Sequence, residues 1–590
     1  MVFHPGRWSS NAVIDPIPAP TRKLTIVAKD PGFRLGGPGG PMAFVQVSVP
    51  AEILARGPTG YRIKVVDYNA TEQRVYVNDQ AYESPTGELI DPFAPTGNET
   101  LLDRAYQARL LANPNFHAQN AYAIAMRTLG AFERALGRRV SWSTGGHQLH
   151  IAPHAFAQAN AFYSEPDRAL MFGYFRSTRG EHVFTSLSHD IVAHETTHAI
   201  LDGLRSRFTE PSGPDQAAFH EGFADIVALL SIFSLPEVVA GAFGKDGATA
   251  VKGKTITLVA ARKLAPASIK KSILLGMAKE VGQALDAGER KALRRSVEIT
   301  PDEGARMRQA DDEHDRGEVF AAAMMNAFVD LWVDRIADLG KFKGGNYNLA
   351  SVVEEGARLA GQLLNMAIRA LDYCPPTDIN FEQYVAALLT ADREVVPNDD
   401  RGYRVKIKES FAAYGIGPPG VGCDEDGCWK RYPYQGKLAY ARSNYAAMTR
   451  SRDELFRFLW ENRDTLNICE EAYSEVLSID PSSRVGPDGI ALHETVCQYV
   501  ERLDFFSAEF KHHFDVERPD GMNSRTPLTA YGGGVVILDQ YGQVKYHIAN
   551  PLKDGERQRE RMTYLFDAGL LDPADQRLRF GLTHQHRMGA

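Results

Sequence analysis

The chain has 590 residues, more than a single hydrophobic core usually organises, so two or three domains are expected. Hydrophobic residues at 44% and charged residues at 24% give an ordinary globular composition, and a net charge of −8 makes no case for nucleic acid as a partner. No apolar run reaches the roughly 18 residues of a membrane span, so a membrane partner is not expected either. The opening Met1-Val-Phe-His-Pro-Gly-Arg-Trp8 lacks the basic-then-apolar pattern of a signal peptide, which points to a cytoplasmic location or to non-classical export. Cys374, Cys423, Cys428, Cys469 and Cys497 are few, odd in number and scattered, as in a protein without a disulfide framework.

Residues 1–95 are rich in Pro and Gly, and the alternating runs Tyr61–Val66 and Gln73–Val77 predict a small antiparallel β unit. From about 100 the pattern turns helical: over His117–Leu136, Tyr122, Ala125, Met126, Leu129 and Phe132 share one face. Strands are predicted at Val140–Trp142, Gln148–Ile151 and Ala161–Phe175. A helix follows over Ser188–Asp202, and it carries His194-Glu195-Thr196-Thr197-His198. Residues four apart on a helix lie about 40° apart around the axis, so both imidazoles point the same way and can share one Zn²⁺. Glu195, rotated by about 100° from His194, can avoid the metal and reach a water beside it as a general base.

A catalytic zinc usually takes three protein ligands. The next helix, His220-Glu221-Gly222-Phe223-Ala224-Asp225 and onward to Leu230, places two acids one turn apart on one face. Glu221 can supply the third ligand, and Asp225 can accept the free ring N–H of a zinc histidine. Further helices are predicted near Ser268–Leu285, Val319–Leu339, Val352–Leu371, Phe381–Ala391 and Val405–Tyr414. Residues 418–434 have linker composition, and Cys423 and Cys428 within them read as two loop thiols. The region 435–590 predicts helices at Ala446–Arg463 and Ile490–Phe506, then a hairpin of Gly534–Leu538 and Val544–Ile548. His493-Glu494 nearly repeats the zinc motif but lacks a second histidine, and reads as surface helix.

HExxH followed by a helix with E-x-x-x-D resembles the thermolysin-like (gluzincin) zinc metallopeptidases. Asn160-Ala161-Phe162-Tyr163 is similar to that family's substrate-pairing edge strand, the stretch Ala370–Thr377 with Phe381 to Asp392 to its last helices, and Phe411–Ile416 to its close. The resemblance covers about 100–416. It implies an α+β fold with a β-containing N-terminal lobe, a helical C-terminal lobe and zinc between them. An additional α+β C-terminal domain of unknown role would follow, giving units at 1–95, 96–417, 418–434 (linker) and 435–590.

By the same resemblance the chain is a zinc-dependent endopeptidase acting on peptide or protein substrates. His194, His198 and Glu221 bind the metal, Glu195 is the base, and Asn160 and Ala161 bind substrate. His314, before the Val319 helix, stabilises the oxyanion. Two departures stand out. No tyrosine lies between His198 and Glu221, where the family keeps a second oxyanion donor; Phe208 sits nearest and has no hydroxyl. Asp190 matches one calcium ligand of the family, but its acidic partner falls at Ile232, so calcium is not expected and Asp190 is assigned to capping the zinc helix. Arg294 and Arg308 are candidates for a substrate-positioning arginine. The rival reading is a non-proteolytic zinc-binding module, with the absent tyrosine as the mark of a lapsed site.

Overall fold

The computed structural model describes residues 21–572 apart from 36–39, 144–146, 178–179, 211, 244–246, 252–253, 271–298, 311–312, 343, 434–437, 486–488 and 490. Arg294 and most of the helix predicted near Ser268–Leu285 lie outside the described residues. The fold is mixed α+β with several small sheets.

Strands β1 (Thr21–Val27) and β2 (Phe44–Pro50) pair antiparallel along their full length; both precede or flank a Pro/Gly-rich stretch that hides them from a local reading. Strand β3 (Ile63–Val65) comes from one predicted run, and its pairing partner lies beyond residue 95. After helix α1 (Pro114–Leu136), strand β4 (Leu149–Phe156) pairs parallel with it. Helix α1 starts on an Asn113 side-chain cap with Pro114 at its first position and ends at Gly137 with φ 68°. No strand forms at Val140–Trp142, where the Trp142 indole N–H instead donates to the Arg62 carbonyl at 3.1 Å.

The predicted strand Ala161–Phe175 is a hairpin. Strands β5 (Ala161–Ser164) and β6 (Ala169–Arg176) pair antiparallel across a turn in which Arg168 takes φ 54°. Strand β7 (His182–Phe184) adds to the far end of β6. The sheet order is β3–β4–β6–β5, which leaves β5 at an edge.

Helices α2 (His189–Leu204) and α3 (Pro214–Phe233) follow and pack on each other. Helix α2 is buried nearly all round, and its two threonines are tolerated because Thr196 Oγ1 donates to the Val192 carbonyl at 2.6 Å and Thr197 Oγ1 to Ala193 at 2.7 Å. Helices α4 (Glu313–Ala337), α5 (Leu349–Ala370), α6 (Phe381–Val395) and α7 (Tyr403–Ala413) follow; α5, α6 and α7 lie within about a turn of their predicted spans, and α4 begins six residues earlier than predicted. Among the described residues no helix is long and apolar enough to cross a membrane.

The C-terminal region holds a four-stranded antiparallel sheet: β8 (Tyr473–Val485), β9 (Ala491–Phe506), β10 (Pro527–Leu538) and β11 (Val544–Asn550). The predicted hairpin is β10–β11. The predicted helix Ile490–Phe506 is wrong, because that segment is strand β9. Its alternate residues serve two cores: Val496 joins the main core, and Cys497 and Tyr499 join a second cluster with Leu455, Phe458 and Leu459. A strand buried on both faces loses the polar alternation that identifies a strand in sequence. Glu494 is accordingly a buried strand residue, 3.1 Å from Arg484 and 2.6 Å from Lys545.

One hydrophobic core runs across the expected boundaries at 95 and 417, from Leu24 and Val47 through α1–α7 to Val535, Ile537 and Tyr546. Buried charges lock the seam. Asp372, beyond α5, holds Arg138 at 2.6 Å and also bonds Arg484 of β8. Burial alone would raise the Asp372 pKa, but Arg138 and Arg484 together hold it below its usual value. Within residues 418–433, Cys428 is buried, and the Trp429 indole donates to the Tyr373 carbonyl at 3.0 Å.

Candidate metal centre

Helices α2 and α3 bring His194, His198 and Glu221 into one buried group whose ligand atoms lie within 4.8 Å of one another. The two Nε2 atoms face each other at 2.8 Å, and each lies 3.7 Å from a Glu221 carboxylate oxygen. His194 Nδ1 is 2.8 Å from Asp225 Oδ1. A carboxylate there takes an N–H, which fixes that proton on Nδ1 and leaves Nε2 with a lone pair. A carboxylate and two imidazole nitrogens converging on one point match the donor set of Zn²⁺. The residues therefore fit a metal ion.

Sequence reasoning left His220 without a role. Its Nδ1 lies 3.1 Å from His198 Nδ1, with the rings nearly parallel at 18°. With His198 presenting Nε2 to a metal, its Nδ1 carries the proton and His220 accepts it, doing for His198 what Asp225 does for His194. The only local signal was its position, directly before Glu221 on a buried face.

Glu195 sits one helical step from His194 and accepts the backbone N–H of Tyr163 at 3.0 Å. The Tyr163 hydroxyl donates to Asp202 Oδ2 at 2.9 Å, so strand β5 is tied to α2 by main chain and side chain. In antiparallel pairing a residue's N–H and C=O point to the same side and alternate along the strand. Since Tyr163 turns its N–H toward Glu195, the carbonyls of Ala161 and Tyr163 face away from β6 as well. The Ala161 N–H is held by the Asn160 side chain at 2.9 Å.

His314 lies in the first turn of α4, with Nε2 4.0 Å from Glu221 Oε2 and 25% of its side chain exposed, against 3% for His194. Two features put it there. Helices α3 and α4 cross at glycines: a Cβ on Gly222 would stand 2.6 Å from the Gly317 carbonyl oxygen. Arg316 then anchors the turn, bonding Asp215 of α3 through Nε at 3.1 Å and the Met307 carbonyl through Nη1 at 2.9 Å.

Arg308 is not brought to the group; it is exposed and donates to the Glu303 carbonyl at 3.1 Å. Phe208 is buried against Phe219 and offers no donor. Ser188 rather than Asp190 occupies the N-cap position of α2; Asp190 lies in the first turn, where it accepts the Ser188 hydroxyl at 2.6 Å and the Ile191 backbone N–H at 3.0 Å. Burial, with Asp30 nearby, pushes its pKa up to about 6, against a partly opposing Lys29. No protein-family model matches the chain, and no curated protein matches it.

Proposed function

We propose that the chain is a zinc-dependent endopeptidase with a thermolysin-like arrangement around its metal group. The reading rests on one observation: His194, His198 and Glu221 converge beside a glutamate, Glu195, that is bonded to an edge strand. Zinc held by the three ligands would polarise a peptide carbonyl and make water nucleophilic near neutral pH. Glu195 would accept a proton from the attacking water and return it to the leaving amine. A substrate strand laid along β5 meets the carbonyls of Ala161 and Tyr163 as acceptors, because the two N–H groups on that side are already bonded. His314, the least buried of these side chains, would donate to the developing negative oxygen. Without a tyrosine between His198 and Glu221, His314 carries more of that charge.

The test is metal analysis with a peptide-library digest, wild type against Glu195→Ala. About one zinc per chain in both proteins, with cleavage only in wild type, supports the proposal. Zinc bound without cleavage by wild type would favour the binding-module reading.

A further inference from the structure

A cavity of about 550 Å³ lies between the C-terminal half of α5, the end of α6 and the start of α7, with Val485 of β8 also lining it. None of the metal-group residues lines it. Its volume falls within the roughly 300–1,000 Å³ of small-molecule sites. Four arginines line it: Arg335, Arg358, Arg369 and Arg401.

The acids around it are largely committed. Asp392 bonds Arg404 at 2.7 Å, and Asp399 takes the backbone N–H groups of Tyr403 and Arg404 at 2.7 and 2.9 Å. Glu355 serves Arg335 and Arg358 together, and Asp400 is exposed at the rim. Four guanidinium groups thus face three lining carboxylates, of which Asp392 is already paired with Arg404.

The guanidinium groups also have capacity to spare. Arg335 is 7% exposed, stacked 5.1 Å from the Tyr403 ring centroid, and its Nε has no partner among the described residues. Arg369 uses Nε on the Ala135 carbonyl at 3.2 Å, and its two terminal nitrogens have no bond among the described residues. Burial, then the neighbouring Arg484, lowers the Arg369 pKa, as expected for a cation short of a counter-charge. Arg401 makes no hydrogen bond or ion pair among the described residues. Met366, Val395 and Tyr403 supply apolar surface between these donors.

We propose that this cavity binds a small polyanion bearing two or more phosphate or carboxylate groups, gripped by Arg369 and Arg401 with Arg335 behind them. Guanidinium forks match both groups in geometry, and each bond to an ionised oxygen is stronger than a neutral one.

Isothermal titration of the full zinc-loaded chain at fixed ionic strength tests it, with fructose 1,6-bisphosphate and tricarballylate as probes. One site per chain for at least one probe is expected, and the probe that binds identifies phosphate or carboxylate as the preferred group. Arg369→Gln and Arg401→Gln should each weaken binding by about 10-fold or more. Arg401 is exposed and can be replaced without disturbing packing, so the test holds even if Arg369→Gln fails to fold. Binding of neither probe, or binding unchanged in Arg401→Gln, overturns the proposal.

Discussion

The glycine crossing of α3 and α4 gives a direct test of whether helix spacing sets the position of His314. In Gly222→Ala the new Cβ would lie 2.6 Å from the Gly317 carbonyl oxygen and 3.0 Å from Gly317 Cα, where ordinary contact begins at 3.4 Å. The helices must therefore part by about 0.8 Å at a point one turn from His314. In Gly317→Ala the nearest atoms, the Ala218 carbonyl oxygen and the Gly222 nitrogen, are at 3.0 Å, so about 0.4 Å suffices. A misplacement near 1 Å costs on the order of 10² in rate, so Gly222→Ala should lower kcat/KM by about 10²-fold and Gly317→Ala by about 10-fold. His194, His198 and Glu221 lie on α2 and α3, so zinc content near one per chain in both variants would show that α4 is the helix displaced. The assay is kcat/KM on a peptide selected by digest, with metal analysis and circular dichroism alongside. Wild-type activity in Gly222→Ala, or a larger loss in Gly317→Ala, would refute the reasoning.

His314→Ala and His314→Phe should each cost at least about 10²-fold in kcat/KM, roughly 2.7 kcal/mol, with zinc content unchanged; near-normal activity in either reduces His314 to a helix-start residue. Asp225→Asn should weaken zinc affinity by about 10–100-fold without unfolding the chain, read by chelator competition. A chain ended near residue 417 should fail to fold, because Val496, Val535, Ile537 and Tyr546 leave the main core and Asp372 loses Arg484; a folded, zinc-binding fragment would refute this. Asp190 binds its proton more tightly folded than unfolded, so its contribution to stability is full below its unfolded pKa of 3.8 and is lost as pH rises through about 6. That loss is at most about 3 kcal/mol. Asn at this position keeps the bond from Ser188 without the charge. Asp190→Asn should therefore gain stability over wild type as pH rises from 4 to 7 in denaturant titrations, and parallel pH profiles would count against the assignment.

What was legible in the sequence was local. The two helices of the metal group declare themselves by i, i+4 spacing and by an acid pair one turn apart, and the structure gathers His194, His198 and Glu221. Hairpin β10–β11 was equally plain from its turn, Asp539–Gly542. Strand β9 was not, because its two faces meet two different cores and its run of buried residues carries no period. The links across the chain were hidden for another reason: Arg138, Asp372 and Arg484 are each unremarkable alone and acquire meaning only when the fold stacks them. His220 and the Gly222–Gly317 crossing belong to the same class, since each depends on the partner helix.

The bond between Tyr163 and Glu195 joins two features that sequence treats as separate, an edge strand and a helical motif. On the proposed reading Glu195 is the general base, and a base whose rotamer is set by a strand's own backbone stays aligned with a peptide paired with that strand. The Asp202 bond to the Tyr163 hydroxyl fixes the same register from the side-chain end. Tyr163→Phe removes that second bond, together with the hydroxyl's 3.2 Å contact with Ser143 Oγ, and leaves the N–H on Glu195 intact. If alignment of strand and base is what the pair provides, this variant should keep its zinc and lose a modest factor, about 10-fold, in kcat rather than in KM, because a loosened base acts on the transition state and not on binding. A rise in KM at unchanged kcat would instead assign Tyr163 to holding substrate. An unchanged enzyme would mean that the backbone bond alone fixes the register.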